Sequence, residues 1–110
     1  MEAKNHTDHR WSTRLPLSLE VKVFDGGEPI AQGHTQNVGI GGMFIDTKQR
    51  KLPLNSRIAV AFSVRNKGDI THHRLPATVI WSSTEGAGLM FTDFNVDTVH
   101  TLREILYPEQ

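Results

Sequence analysis

Residues 15–24 read LPLSLEVKVF, and this stretch decides the fold class of the chain. Leucine or valine occupies every second position from Leu15 to Val23, and most of the residues between them are polar. A period of two is typical of a β-strand that buries one face. Asp25, Gly26 and Gly27 follow directly, and such residues end a strand in a turn.

The same alternation returns along the chain. It predicts further extended segments at about residues 30–38, 43–46, 58–64, 75–81 and 89–91, separated by short turns rich in glycine, asparagine and serine. Six short strands with short connections favour a closed or nearly closed antiparallel β-barrel, because closure removes exposed strand edges. We therefore predict a mainly β fold with a six-stranded antiparallel barrel.

The two ends of the chain differ from the barrel. Apolar residues from Val96 to Leu106 recur at helical spacing, with Asn95 as a candidate N-cap, Asp97 in the first turn and Pro108 as the stop. Residues 1–14 are polar and show neither period, so we predict a flexible N-terminal arm. The expected organisation is an arm over 1–14 and a barrel with one C-terminal α-helix over 15–110.

The bulk composition limits the function classes. Twelve basic residues balance twelve acidic ones, so the overall charge gives no reason to expect nonspecific binding to a nucleic acid polymer or a membrane. The chain has no cysteine, which excludes disulfides and thiolate metal sites. The first 14 residues lack an apolar stretch, and no window approaches a membrane span, so we expect a cytoplasmic protein.

Three segments could bind a ligand. Arg10 and Arg14 are four residues apart, and their guanidinium groups could donate hydrogen bonds to phosphate oxygens and guanine edges. Arginine pairs at this spacing are, however, more often solvated surface residues. Residues 37–42, NVGIGG, combine an amide that can read a purine edge with glycines that allow close backbone approach, but a tight hairpin without a ligand has the same features. Trp81 lies near the end of a predicted strand, where it could pack or stack on a base.

In their order and spacing these segments resemble the PilZ family. Its signature is Arg-x-x-x-Arg, a strand, Asp/Asn-x-Ser-x-x-Gly, and later a tryptophan and a Gly-Leu-x-Phe-like strand before a C-terminal helix. The matching residues here run from Arg10 to about Leu106 and include Gly86-Ala87-Gly88-Leu89-Met90-Phe91. The resemblance implies a bacterial receptor for the second messenger cyclic di-GMP, with no catalytic activity and no cofactor.

Carried over position by position, the resemblance implies a ligand site formed by Arg10, Arg14, Asn37 and Gly42, with Trp81 as a possible stacking wall. Two positions depart from the family pattern. Gly39 replaces the usual serine, which removes one hydroxyl hydrogen bond worth roughly 0.5–1.5 kcal/mol, so a serine there is expected to tighten binding if the turn can accommodate it. His9 stands where many relatives that bind a stacked ligand dimer have another arginine, which leaves open whether one or two ligands bind.

An enzyme and a nucleic-acid-binding barrel are the two other functions that the sequence raises. Six histidines invite a metal or general-base function, but their spacing matches no metalloprotease or zinc motif, and no nucleophile elbow or phosphate-binding loop is present. A barrel that binds RNA or single-stranded DNA would use the basic residues Lys48, Arg50, Lys51 and Arg57, but few aromatic residues are available for stacking.

Within the resemblance, two readings remain. One is a receptor whose arm changes conformation around the ligand and signals to an unidentified downstream protein. The alternative is a PilZ-like adaptor that has lost nucleotide binding and contacts only proteins, which the replacement of serine by Gly39 makes credible.

Overall fold

The computed structural model describes residues 13–48 and 50–108. They form seven strands and one helix, in the order β1 (Leu15–Pro16), β2 (Glu20–Asp25), β3 (Glu28–Val38), β4 (Gly42–Asp46), β5 (Arg57–Asn66), β6 (Asp69–Ser83), β7 (Gly86–Phe91) and α1 (Val96–Leu106). All strand pairs are antiparallel, in the order β1-β3-β2-β5-β6-β7-β4, and β4 also pairs with β3. This last pairing closes a six-stranded barrel of β2 to β7, which confirms the predicted fold class.

The predicted first strand is interrupted. β1 pairs with Asn37 and Val38 at the end of β3, whereas β2 pairs with its earlier part. Across the break, the buried Thr35 hydroxyl accepts a hydrogen bond from the Leu19 N–H at 2.7 Å and donates one to the Leu17 carbonyl at 2.5 Å. One side chain thus replaces the missing ladder bonds and keeps both polar backbone groups satisfied.

The core follows the alternation in the sequence. The inward positions of the strands and two leucines of the helix form one cluster, whose fully buried members include Val23, Val60, Met43, Ile45, Val79, Leu89 and Leu102. Opposite faces of each strand point to the core and to solvent. The outer face of the barrel is therefore where polar and aromatic side chains are free to meet a ligand.

Helix α1 begins as predicted, because the Asn95 side chain accepts hydrogen bonds from the Asp97 and Thr98 N–H groups at 2.8 and 3.2 Å. One predicted core position is wrong: Val96 is 83% exposed. It occupies the first helical residue, and the helix turns its buried face to Thr98, Leu102 and Leu106 instead.

His73 connects the helix to the barrel. Its Nδ1 lies 2.9 Å from the Thr98 hydroxyl, its Nε2 lies 2.7 Å from the Thr71 hydroxyl, and its ring stacks on Phe62 at 5.3 Å between centroids. Burial, reinforced by the charge of His72 and opposed by Asp97, lowers the pKa of His73. The folded protein therefore favours the neutral imidazole.

This lowered pKa predicts a pH-dependent stability. Below about pH 6.5 the unfolded chain binds a proton at His73 more readily than the folded chain does, so the free energy of unfolding should fall as the pH drops below that value. Urea denaturation at several pH values between 5 and 8 measures the effect. His73→Gln should flatten this part of the profile; equal profiles for wild type and His73→Gln would contradict the assignment.

Candidate ligand site

A β-bulge aims Asn37 away from the core. In β3 the residues Gly33 and Thr35 are buried, but after an irregularity between Thr35 and Asn37 the next buried residue is Val38. The extra residue, Gln36, shifts the alternation by one position, which is what a bulge does. Asn37 consequently lies on the outer face, opposite Pro16 on one side and Phe44 on the other.

A second bulge aims Trp81 outward. Alternation from Leu75, Ala77 and Val79 predicts Trp81 on the inner face, but the register of β6 shifts between Val79 and Trp81. Trp81 then pairs with Gly88, and 46% of its surface is exposed. The prediction that Trp81 continues the inward-facing residues Leu75, Ala77 and Val79 is wrong. The register instead leaves its ring on the outer surface of the barrel, where a stacking role would require it.

The two bulges place these residues in one row across the outer face. Directly paired residues share a face of a sheet, and the pairings give the order Pro16, Asn37, Phe44, Gly88, Trp81. Gly88 has no side chain, so the rings of Phe44 and Trp81 meet across it, with centroids 5.1 Å apart and planes inclined by 50°. We call Phe44 and Trp81 the aromatic wall.

Asn37 carries an unsatisfied polar atom. Its Oδ1 is buried and has no hydrogen-bond partner among the described residues. A buried acceptor without a partner costs about 1–3 kcal/mol, so folded proteins seldom keep one without a reason. Beside an aromatic wall, such an amide is suited to the donor and acceptor groups of a purine edge.

The glycines of the 37–42 turn allow close backbone approach. None of them has a positive φ, but a Cβ on Gly39 would overlap the Thr13 carbonyl oxygen and a Cβ on Gly42 would overlap the Leu89 carbonyl oxygen. The Gly39 N–H donates to the Gly42 carbonyl at 2.8 Å. The turn therefore does not accommodate a serine at position 39 as it stands, so the condition under which a serine was expected to tighten binding is not met.

Arg14 is the predicted phosphate-binding residue that the structure places. It is exposed, and its Cγ lies 3.1 Å from the position that a Cβ on Gly39 would occupy. Arg14 thus lies beside the 37–42 turn, directly before β1, which pairs with Asn37 and Val38. Arg10 and His9 lie outside the described residues, as does most of the predicted 1–14 arm.

Arg14 beside the 37–42 turn, Asn37 and the aromatic wall thus offer a cation, an amide and stacking rings as a candidate site. Phe44 was not among the residues predicted for the site; its signal in the sequence is an aromatic residue at an outward position of a predicted strand, between inward Met43 and Ile45. Gly42 is buried and contributes through its backbone and through strand packing, rather than through an exposed surface.

A metal site, a membrane span and a basic nucleic-acid surface would each need features of their own. Within residues 13–48 and 50–108, no three histidine, aspartate or glutamate side chains are grouped as metal ligands would be. The helix of that same part of the chain, α1, is not long and apolar enough to cross a membrane. Lys48, Arg50, Lys51 and Arg57 are all exposed.

Comparisons with known proteins agree on the family. The PilZ domain profile matches residues 8–107. The fold is similar to the crystal structure of the PilZ domain of CeSA from a cellulose-synthesizing bacterium, with a TM-score of 0.63, 20% sequence identity, and coverage of 87% of this chain and 96% of that one. No curated protein matches the chain.

Proposed function

Because the chain belongs to the PilZ domain family, a family of binding domains that generally serve as cyclic di-GMP receptors, we propose that it binds cyclic di-GMP on the outer face of the barrel. Arg14, together with Arg10, would grip phosphate and guanine groups through charge-assisted hydrogen bonds. Asn37 would bind a guanine edge over the turn that ends at Gly42. Trp81, joined by Phe44, would stack against a base.

The observation that carries the proposal is the row that two bulges create. Asn37 and Trp81 are 44 positions apart in the sequence, yet one bulge turns each of them outward and the pairings align them across Phe44 and Gly88. Bulges that re-aim side chains are common beside functional sites. The unsatisfied Oδ1 of Asn37 lies within this row.

In the proposed mechanism the N-terminal arm is the switch. Ligand binding would draw Arg10 and Arg14 over the nucleotide and change the surface that a downstream protein meets. Ordering about ten residues costs considerable conformational entropy, so the dissociation constant should be on the order of micromolar or somewhat tighter. His9 in place of an arginine leaves the number of bound ligands to be measured.

Calorimetric titration of the full chain with cyclic di-GMP tests the proposal and reports affinity and stoichiometry together. Linear pGpG is the matched control, since it offers the same bases without the closed ring. Saturable binding of cyclic di-GMP, with weaker binding of the linear form, is expected. Absence of heat and of any change in the tryptophan fluorescence of Trp11 and Trp81 at saturating nucleotide would favour the alternative, an adaptor that contacts only proteins.

Asn37→Ala should separate binding from stability. The change removes a buried oxygen that has no partner within residues 13–48 and 50–108, so the free energy of unfolding should stay equal or rise, while affinity for cyclic di-GMP falls about five- to tenfold. Thermal melting and calorimetry on one preparation give both values. Gln36→Ala is the control, because it removes a neighbouring amide that is exposed; loss of stability and affinity in parallel would instead assign Asn37 a structural role.

A further inference from the structure

The described chain begins against the turn that joins β3 to β4. The Thr13 carbonyl oxygen occupies the space that a Cβ on Gly39 would need, and the Gly39 N–H donates to the Gly42 carbonyl at 2.8 Å. Glycine at position 39 thus lets the backbone of Thr13 lie directly on the turn. The residues just ahead of Thr13 therefore start from this turn, and the surface around it is the first that they can meet.

Two exposed apolar side chains adjoin this turn on the side of β7. Met90 pairs with Gly42, and the Phe91 N–H donates to the Gly41 carbonyl at 2.9 Å. Met90 is 47% exposed, and Phe94, whose ring contacts the buried Phe91 ring edge-on at 6.5 Å between centroids, is 43% exposed. We call Met90 and Phe94 the apolar pair. Single exposed apolar residues are ordinary on protein surfaces, so this pair gains significance only from what lies within its reach.

Trp11 is the apolar residue that lies within reach. Residues 4–14 read KNHTDHRWSTR, in which Trp11 is the single apolar side chain. It precedes Thr13 by two positions, and two extended residues span about 7 Å. Only the turn separates Thr13 from the apolar pair, so an indole that starts two residues ahead of Thr13 can contact that pair.

We propose that the Trp11 indole docks on the apolar pair in the ligand-free protein and anchors the N-terminal arm to the barrel. A thioether and the edge of a ring are both favourable contacts for an indole, which carries a large apolar area. Only Ser12 separates Trp11 from Thr13, whose position is already set, so little chain has to be ordered for this contact. Burial of one large side chain on so short a tether favours the docked state.

The anchor would act on the arginines of the arm. Arg10 and Arg14 flank Trp11 in the sequence, and Arg14 lies beside Gly39. Holding Trp11 at the apolar pair would keep both arginines near the 37–42 turn and reduce the ordering that remains for any ligand that they bind. The contact itself is made within the chain, so it does not rest on the binding of cyclic di-GMP.

A single-tryptophan variant reports the environment of Trp11. The chain has two tryptophans, so Trp81→Phe leaves Trp11 as the only one and keeps an aromatic ring beside Phe44. Acrylamide quenching of the full chain, recorded without nucleotide, is compared with that of a peptide of residues 1–14. The quenching constant should be about twofold lower in the full chain, because an indole docked on one face loses about half of its accessible surface. A chain that fails to bind cyclic di-GMP can still give this result, so the two proposals fail separately.

Variants of the apolar pair identify the surface. In the Trp81→Phe background, Met90→Gln/Phe94→Gln should raise the quenching constant about twofold, to the value of the peptide. The matched control is Leu54→Gln/Ile70→Gln, which removes two apolar side chains of similar exposure, 57% and 49%, from the β4–β5 connection and the start of β6. It should leave the constant unchanged. Met90→Gln alone keeps the Phe94 ring in place, so it should give part of the rise even if the double variant is unstable.

Three results would overturn the inference. A quenching constant for the full chain equal to that of the peptide would show that Trp11 does not dock on the barrel. No rise in Met90→Gln/Phe94→Gln, or an equal rise in the control variant, would show that the apolar pair is not the surface that Trp11 contacts. Protection that disappears on dilution would show that the indole meets a second copy of the chain instead of its own barrel.

Discussion

Arg14→Ala is expected to lower the affinity for cyclic di-GMP about ten- to a hundredfold while the melting temperature stays unchanged. A hydrogen bond to a charged group is worth roughly 1.5–3 kcal/mol, which corresponds to that range. The side chain is exposed, so its truncation leaves the core intact. Calorimetric titration of the variant measures the loss directly.

A control variant distinguishes a specific contact made by Arg14 from a general effect of removing one positive charge. Arg57→Ala removes the same group from an exposed strand position that takes no part in the Asn37 row, and it should bind cyclic di-GMP as the wild type does. If Arg14→Ala retains the wild-type dissociation constant, Arg14 does not contact the bound nucleotide. If both variants lose affinity equally, the contribution is long-range charge rather than contact.

Local patterning was sufficient to predict the architecture. The alternation from Leu15 to Val23 sets the inner face of the first strand, and the helix cap at Asn95 is a local signal that the structure confirms. These features depend on residues that are close in the sequence. They are therefore readable without knowing which strands pair.

The arrangement of the candidate site could not be predicted in the same way. Strict alternation aims Trp81 inward, and nothing in the residues around Gln36 reveals that β3 gains a residue there. A bulge is set by pairing with a neighbouring strand, so its position is a tertiary property. The sequence nominated Asn37 and Trp81 by resemblance, whereas their alignment with Phe44 required the register.

The same limit applies to Gly39. Its place in the motif led to the expectation that serine would add a hydrogen bond to the ligand. That expectation held only if the turn could accommodate a side chain at residue 39. The Thr13 carbonyl, 26 positions earlier in the chain, occupies the space that a Cβ would need. Close approach of backbone to backbone leaves no mark in local sequence apart from the glycine itself.

Gly39→Ser is accordingly expected to weaken cyclic di-GMP binding about tenfold or more, because the new Cβ must displace Thr13 and with it the Arg14 side chain that packs on residue 39. Gly39→Ala is the matched variant, since it introduces the same Cβ without the hydroxyl and should lose a similar amount. Calorimetry on both variants measures the loss, and melting curves show that the barrel itself persists. The opposite result would be tighter binding by Gly39→Ser than by wild type, with the affinity of Gly39→Ala unchanged. It would mean that the segment around Thr13 shifts to accommodate the Cβ at little cost and that the serine hydroxyl reaches the ligand. The positions of Thr13 and Arg14 would then not depend on Gly39.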